Sequence, residues 1–156
     1  MTKIKPRKEP RRKSKQNHLK IDALLAHEKL VLYCKDMSEW SRGWAGFPEL
    51  DIPLGDALVE EFKSFLIDRI NKNRAKATVQ IYARYLGCLG GELIRHVHIH
   101  EEDRKLSARR LILSLIHENG GPHWPHARDG LDHAKYESVC AQLFRFMTST
   151  EAHKIR

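Results

Sequence analysis

The sequence lacks the features of several classes of protein. No apolar run approaches the ~20 residues that a transmembrane helix needs, and the N-terminal segment lacks the apolar core of a secretory signal peptide. Cysteine is scarce, and Cys34, Cys88 and Cys140 are widely spaced without a CxxC pair. That spacing argues against a disulfide framework and against a zinc ribbon. We therefore expect a soluble, intracellular protein whose cysteines are buried free thiols.

Short catalytic motifs are also missing from the sequence. It contains no GxSxG nucleophile turn, no glycine-rich phosphate loop and no HExxH zinc motif. No serine or cysteine has the neighbouring residues that would activate it as a nucleophile. We therefore expect no catalytic residue and no cofactor, and we predict a binding protein rather than an enzyme.

Histidine, in contrast, is abundant, with ten residues in a chain of 156. His96, His98 and His100 alternate, so on an extended segment their imidazoles would share one side, and imidazole is a common zinc ligand. A second group in the following loop could complete such a site: His117, His123, His126, His133. A solvated loop explains the same residues. We predict no metal site, and we keep a His-rich metal-binding protein or enzyme as an alternative function.

Positive charge is concentrated at one end of the chain. The net charge is +8, and residues 1–20 hold nine bases against the single acid Glu9, so the remaining residues hold 19 charges of each sign. Because residues 1–17 contain Pro6 and Pro10 and no apolar periodicity, they are predicted to form a disordered basic arm. We expect the bases of this arm to contact nucleic acid: Lys3, Lys5, Arg7, Lys8, Arg11, Arg12, Lys13, Lys15.

A basic arm of this kind attracts polyanions, of which nucleic acid is the commonest. Its affinity would come mainly from counterion release and would therefore fall with salt. A solubilising tail explains the same composition, and in a eukaryotic chain the run could be a nuclear localisation signal. We accordingly expect the protein in the cytoplasm, associated with the nucleoid, or in the nucleus if the chain is eukaryotic.

The remainder, residues 18–156, is predicted to be a single all-α domain, a compact bundle of four to five helices. Apolar residues at helical spacing place these helices at about residues 18–34, 56–71, 75–95, 102–117 and 131–148. Asp56 is a plausible N-cap, and Asp129 or Asp132 could cap the last helix. The sequence shows no convincing pair of strands.

The segment 36–54 is rich in glycine, proline and tryptophan and is predicted to be a loop. Trp40, Trp44 and Phe47 are too costly to leave bare in such a loop. Packing beneath the helices is one interpretation, and recognition of a protein partner through the Trp40/Trp44 loop is the other.

Polar residues recur on one side of the helix predicted at 75–95. Lys76, Gln80 and Arg84 lie opposite its apolar stripe, and three further bases precede them: Arg69, Lys72, Arg74. Together they form a basic edge where two helices meet, which could contact phosphates. A solvated helix face explains the same residues, and the basic arm favours the nucleic-acid interpretation.

A run from Thr78 to Leu86 has the pattern Thr-apolar-x-x-Tyr-x-x-x-Leu (TVQIYARYL). It resembles the second helix of the core-binding domain of tyrosine recombinases and phage integrases, which is a four-helix bundle. FKSFLIDRI resembles the first helix of that domain, HIHEEDRKLSARRLILSLI the connection into its third helix and YESVCAQLFRFM its fourth helix, so that the likeness spans about residues 56–147. Ala75 stands where the family usually has serine, and the loop GGPHWPHARDG is longer than expected.

The resemblance implies binding to double-stranded DNA, with Lys76, Gln80 and Arg84 as contacts. It implies no cleavage, because the remaining residues cannot hold the catalytic domain of that family unless the chain is a fragment of a longer protein. The predicted function is thus a non-catalytic, recombinase-like DNA-binding protein or module that takes part in recombination or integration. An RNA- or ribonucleoprotein-associated interaction subunit is the remaining alternative.

Overall fold

The computed structural model describes residues 24–154 of the protein, and their side chains over residues 24–149. The predicted all-α fold is confirmed. The described residues contain six α-helices: α1 (24–33), α2 (Trp40–Trp44), α3 (Pro48–Asn71), α4 (Lys76–Ile99), α5 (Ala108–Leu115), α6 (Gly130–Lys154). The predicted arm, residues 1–17, and the beginning of the predicted first helix lie outside the described residues.

Helices α3 and α4 form the centre of the bundle. Each packs against α2, α5 and α6 as well as against the other. Their facing sides carry fully buried residues at spacings of three and four: Leu58, Phe62, Phe65, Leu66, Val79, Leu86, Leu89, Leu93. Burial of one such side chain stabilises the fold by about 1.5–3 kcal/mol. These residues belong to the apolar positions at helical spacing from which the two helices were predicted.

A tight turn joins α3 to α4. Asn73 has a φ of 58°, the left-handed conformation in which asparagine substitutes for glycine at a helix end. The amide of Asn73 donates to the carbonyl of Ile70 at 2.9 Å, and that of Arg74 donates to the carbonyl of Arg69 at 3.2 Å. These two bonds form a Schellman motif, which satisfies carbonyls at the end of α3.

The prediction that residues 36–54 form a loop is wrong. A 3₁₀ turn (Met37–Glu39) leads into α2, and α3 begins at Pro48. Proline in the first turn does not break a helix, because the amide that it lacks would have no intrahelical partner there. The expected N-cap, Asp56, therefore lies well inside α3.

Trp40 and Trp44 pack against the core, which agrees with the packing interpretation of these residues. The indole nitrogen of Trp44 donates to the carbonyl of Gly87 at 2.9 Å. Its ring lies directly on Gly90, where a Cβ atom would be only 2.2 Å away. Phe47, by contrast, is 59% exposed and only touches the edge of His98.

The boundaries of the later helices also differ from the prediction. Helix α4 continues to Ile99, and the helix predicted at 102–117 is a 3₁₀ turn (Glu101–Lys105) followed by the short α5. Ser107 caps α5 by accepting from the amide of Arg110 at 3.2 Å. At the start of α6, the side chain of Asp129 accepts from the amide of Asp132 at 2.8 Å. Asp129, one of the two residues predicted as a possible cap, therefore caps α6.

Cysteine behaves largely as expected. All three cysteines are free; Cys34 and Cys140 are buried, whereas Cys88 is partly exposed. Burial, aided by the nearby charge of Asp36, raises the pKa of Cys34 to about 11. The thiol therefore stays protonated and acts as a small apolar side chain.

Candidate nucleic-acid interface

The candidate interface is built around the start of α4, where the predicted basic edge lies. The N-cap residue, Ala75, offers no side-chain acceptor, and the first turn contains no carboxylate. The amides of Lys76, Ala77 and Thr78 find no acceptor among residues 24–154, since the first intrahelical bond runs from Val79 to Ala75. Exposed amides and the positive end of the helix dipole make this end of α4 attractive to anions.

The structure removes Arg69 from the predicted basic edge. Its side chain is only 13% exposed, and its guanidinium carbon lies 4.7 Å from the centre of the Phe65 ring and 5.9 Å from that of Tyr82. Its Nε is 3.8 Å from the carboxylate of Asp68. Arg69 therefore belongs to the packing between α3 and α4, and it is not available to a phosphate.

Lys72 and Arg74 flank the turn between the two helices. The ammonium of Lys72 lies 3.3 Å from the carboxylate of Asp68, and the side chain remains 55% exposed. Such a surface pair is weak, about 0–1 kcal/mol, so Lys72 can exchange this partner for another anion. Arg74 is exposed and makes no ion pair with any described residue.

Lys76, Gln80 and Arg84 share one face of α4, as predicted, but that face meets the end of α1. The amide nitrogen of Gln80 donates to the carbonyl of Tyr33 at 3.1 Å. The ammonium of Lys76 lies 5.8 Å from the centre of the Tyr33 ring. Arg84 is exposed, and its guanidinium carbon lies 5.6 Å from the centre of the Tyr85 ring. Gln80 thus bonds to the end of α1, and the exposed cations of the interface that pair with no described carboxylate are Arg74, Lys76 and Arg84.

The tyrosine and leucine of the recombinase-like pattern are explained by packing. Leu86 is fully buried, and Tyr82 packs edge-on against Phe65 with 5.6 Å between the ring centres. The remaining predicted contacts, Lys3 to Lys15 of the arm, lie outside the described residues. A protein partner at Trp40 and Trp44 stays a prediction, and both rings are already in contact with the core.

A polar cluster that the sequence did not predict lies at the start of α3. Asp51 is fully buried, and one of its oxygens accepts from the amides of Gly46 and Phe47 at 2.8 and 2.7 Å. His98 lies 2.7 Å from this same oxygen, and Arg104 lies 2.8 Å from the other one. Burial alone would raise the pKa of Asp51, but the hydrogen bonds from Phe47 and His98, the ion pair with Arg104 and the hydrogen bond from Gly46 outweigh it and lower the pKa to about 2.

The three alternating histidines do not lie on an extended segment, which was the arrangement that would have placed their rings on one side. His96 and His98 lie within α4, and His100 follows its last residue. His96 bonds to Asp103 at 2.7 Å, whereas His98 bonds to Asp51, so the two rings serve different partners. In the part of the chain that the structure describes, no group of three or more His, Cys, Asp or Glu side chains could hold a metal ion.

No protein-family model, no curated protein and no solved structure matches this chain. The resemblance to recombinase core-binding domains therefore remains a prediction from the residues quoted above. Within residues 24–154, no helix combines the length and the apolar content that a membrane span requires.

Proposed function

We propose that this protein binds double-stranded DNA without cutting it. The start of α4 would contact the phosphate backbone, and the basic segment of residues 1–20 would add affinity that does not depend on sequence. The observation that carries the proposal is the segregation of charge: residues 1–20 hold the whole excess of +8, and the rest of the chain is neutral. Charge placed in this way serves attraction to a polyanion rather than the stability of the fold.

The attachment of the basic segment supports the proposal. The segment joins the described part of the chain at α1, and α1 extends about 14 Å from residue 24 to Tyr33. Tyr33 contacts both Lys76 and Gln80 of α4. The basic segment is therefore tethered within about one short helix of the exposed cations on α4, so both could bind the same stretch of backbone.

The start of α4 supplies the second part of the binding surface. A phosphate placed there would accept from the open amides of Lys76, Ala77 and Thr78. Arg74 and Lys76 flank these amides, and Arg84 lies two turns along the same helix. Contacts of this kind position a protein on DNA and do not read the bases.

Neutralisation of each cationic group tests the proposal. One variant carries Lys→Gln and Arg→Gln changes throughout residues 1–20, and a second carries Arg74→Gln, Lys76→Gln and Arg84→Gln. A matched control carries three changes at exposed bases elsewhere: Arg95→Gln, Lys105→Gln, Arg110→Gln. Fluorescence anisotropy with a labelled duplex at about 100 mM salt measures the dissociation constant of each protein.

We expect each of the two test variants to bind at least about 10-fold more weakly than the unchanged protein, and more weakly than the control. Equal losses in the second variant and in the control would show that α4 has no special role. Undiminished binding after neutralisation of residues 1–20 would refute the proposal. Circular dichroism is used to check that each variant keeps its helices.

A further inference from the structure

A cleft lies beside the proposed DNA-binding surface and shares Arg84 with it. It has a volume of about 360 Å³ and lies between the end of α1 and the first half of α4. Asp36 and Trp40 contribute one side, and Gln80, Ala83 and Arg84 the other. Pockets for small ligands have volumes of about 300–1,000 Å³, so the cleft is large enough for one aromatic group.

Several polar atoms around this cleft have no partner among the described residues. Asp36 and Arg84 have opposite charges and line the same cleft, but they do not approach within the 4.0 Å of an ion pair. The carboxylate of Asp36 has no hydrogen-bond partner among the described side chains and amides, and it does not cap the 3₁₀ turn that follows it. Gln80 donates to Tyr33 through its nitrogen, which leaves its amide oxygen as an acceptor.

The aromatic part of the cleft is Trp40. This residue is partly exposed, and its ring packs beside that of Trp44 with 5.9 Å between the centres. Trp44 fixes the neighbouring position through its bond to Gly87. A ring held in this way can stack a planar ligand with little loss of side-chain entropy, since its orientation is already set by packing.

We propose that the cleft receives one unpaired base of a DNA strand whose duplex part lies on the start of α4. The inference rests on the proposed function and names the feature of DNA that this protein would prefer, namely an end, a gap or a bulge. The base would stack on Trp40, its exocyclic amino group would donate to Asp36, and its phosphate would lie against Arg84. Stacking on an aromatic side chain and acceptance of an amino proton by a carboxylate are established ways of holding a base.

The test uses the full chain and a duplex with one unpaired 2-aminopurine, a base whose fluorescence falls when it stacks. The matched probe places the 2-aminopurine opposite thymine inside a blunt duplex. We expect the unpaired base to be quenched by the protein, the paired base to be unaffected, and the dissociation constant to be about 5-fold or more lower for the duplex with the unpaired base. Equal affinity for the two duplexes without quenching would overturn the inference and leave the proposed function standing.

Two variants examine the contacts inside the cleft. With unpaired cytosine and unpaired thymine compared, Asp36→Asn should reduce the preference for cytosine by about 5-fold, since the carboxylate accepts from the cytosine amino group. Glu39→Gln is the control, because it removes a neighbouring carboxylate that is exposed and paired with Arg42 outside the cleft. Trp40→Leu should abolish quenching while it retains an apolar side chain.

The ratio of the affinity for the duplex with unpaired cytosine to that for the duplex with unpaired thymine is not changed by a general change in attraction to DNA. An unchanged ratio in Asp36→Asn, or an equal change in Glu39→Gln, would contradict the proposed role of Asp36. If neither duplex binds, the proposed function itself fails, and this inference fails with it. Blunt-duplex binding therefore reports on the proposed function, and the unpaired-base preference reports on the cleft.

Discussion

The two central helices, α3 and α4, have the same length but begin in opposite ways. At the start of α3, the buried Asp51 accepts two backbone amides and meets His98 and Arg104. At the start of α4, the N-cap is alanine, the first turn has no acid, and the flanking residues Arg74 and Lys76 are cationic. Each helix start leaves amide donors that need acceptors. At α3, Asp51 accepts from the amides of Gly46 and Phe47, which come just before the helix, whereas at α4 the amides of the first turn have no acceptor among the described residues.

The difference separates a structural site from a candidate binding site. The carboxylate at α3 ties together residues that are far apart in sequence, so its contribution is to stability. The bare start of α4 lacks a cap that would stabilise it by about 0.5–2 kcal/mol. Removing the carboxylate at α3, or adding a carboxylate at the start of α4, tests this difference.

The largest effect should follow removal of the buried carboxylate. Asp51→Ala leaves Arg104, His98 and two amides without their acceptor, so we expect the free energy of unfolding to fall by about 3–5 kcal/mol. Urea denaturation followed by circular dichroism measures this loss. Glu49→Ala is the control, since Glu49 lies in the same first turn but is exposed. A loss of similar size in both variants would show that the cluster at α3 is not special.

Acid should weaken the start of α3. The pKa of Asp51 is about 2 in the folded protein, below the usual value for an aspartate, about 3.9. Its stabilising contribution is therefore complete above about pH 4 and is lost as the pH falls towards about 2. We expect the melting temperature of Asp51→Asn to depend less steeply on pH over that interval than that of the unchanged protein. Parallel curves for the two proteins would contradict the assignment.

A cap added to α4 should have two opposite effects. Ala75→Asp supplies both an acceptor and a negative charge at the helix start, so we expect stability to rise by about 1 kcal/mol. The same charge would repel phosphate, and DNA binding should weaken. Thermal denaturation and anisotropy measure the two quantities. Ala75→Ser, which caps without charge, separates the electrostatic effect from the loss of the open amides.

A smaller effect should come from the turn between the two helices. Asn73 adopts a positive φ, and alanine at this position would carry a steric penalty of about 1–2 kcal/mol. Asn73→Ala should therefore lower the free energy of unfolding by about this amount, whereas Asn73→Gly should leave it nearly unchanged or raise it. A destabilising glycine would show that the side chain of Asn73 does more than tolerate this conformation. Both variants are measured in urea.

The helical fold was predictable because apolar residues repeat at helical spacing through α3, α4 and α6. The start of α3 was missed because Pro48 was interpreted as a loop signal, although proline followed by acids in the first turn is typical of a helix N-terminus. Asp51 and His98 are 47 residues apart, and no local pattern reports their contact. The roles of Arg69 and Gln80 likewise depend on tertiary neighbours, Tyr82 and Tyr33, which spacing along a single helix does not reveal.

The salt dependence of duplex affinity tests the central claim most directly. For the full chain, the logarithm of the association constant plotted against the logarithm of salt concentration should fall steeply, by about 0.9 for each phosphate that the protein neutralises. Neutralising Arg74, Lys76 and Arg84 together should make that slope shallower by about 3, because each cation would no longer bind a phosphate. A flat salt response of the full chain, or an unchanged slope in that variant, would contradict the assignment of these cations to the DNA backbone.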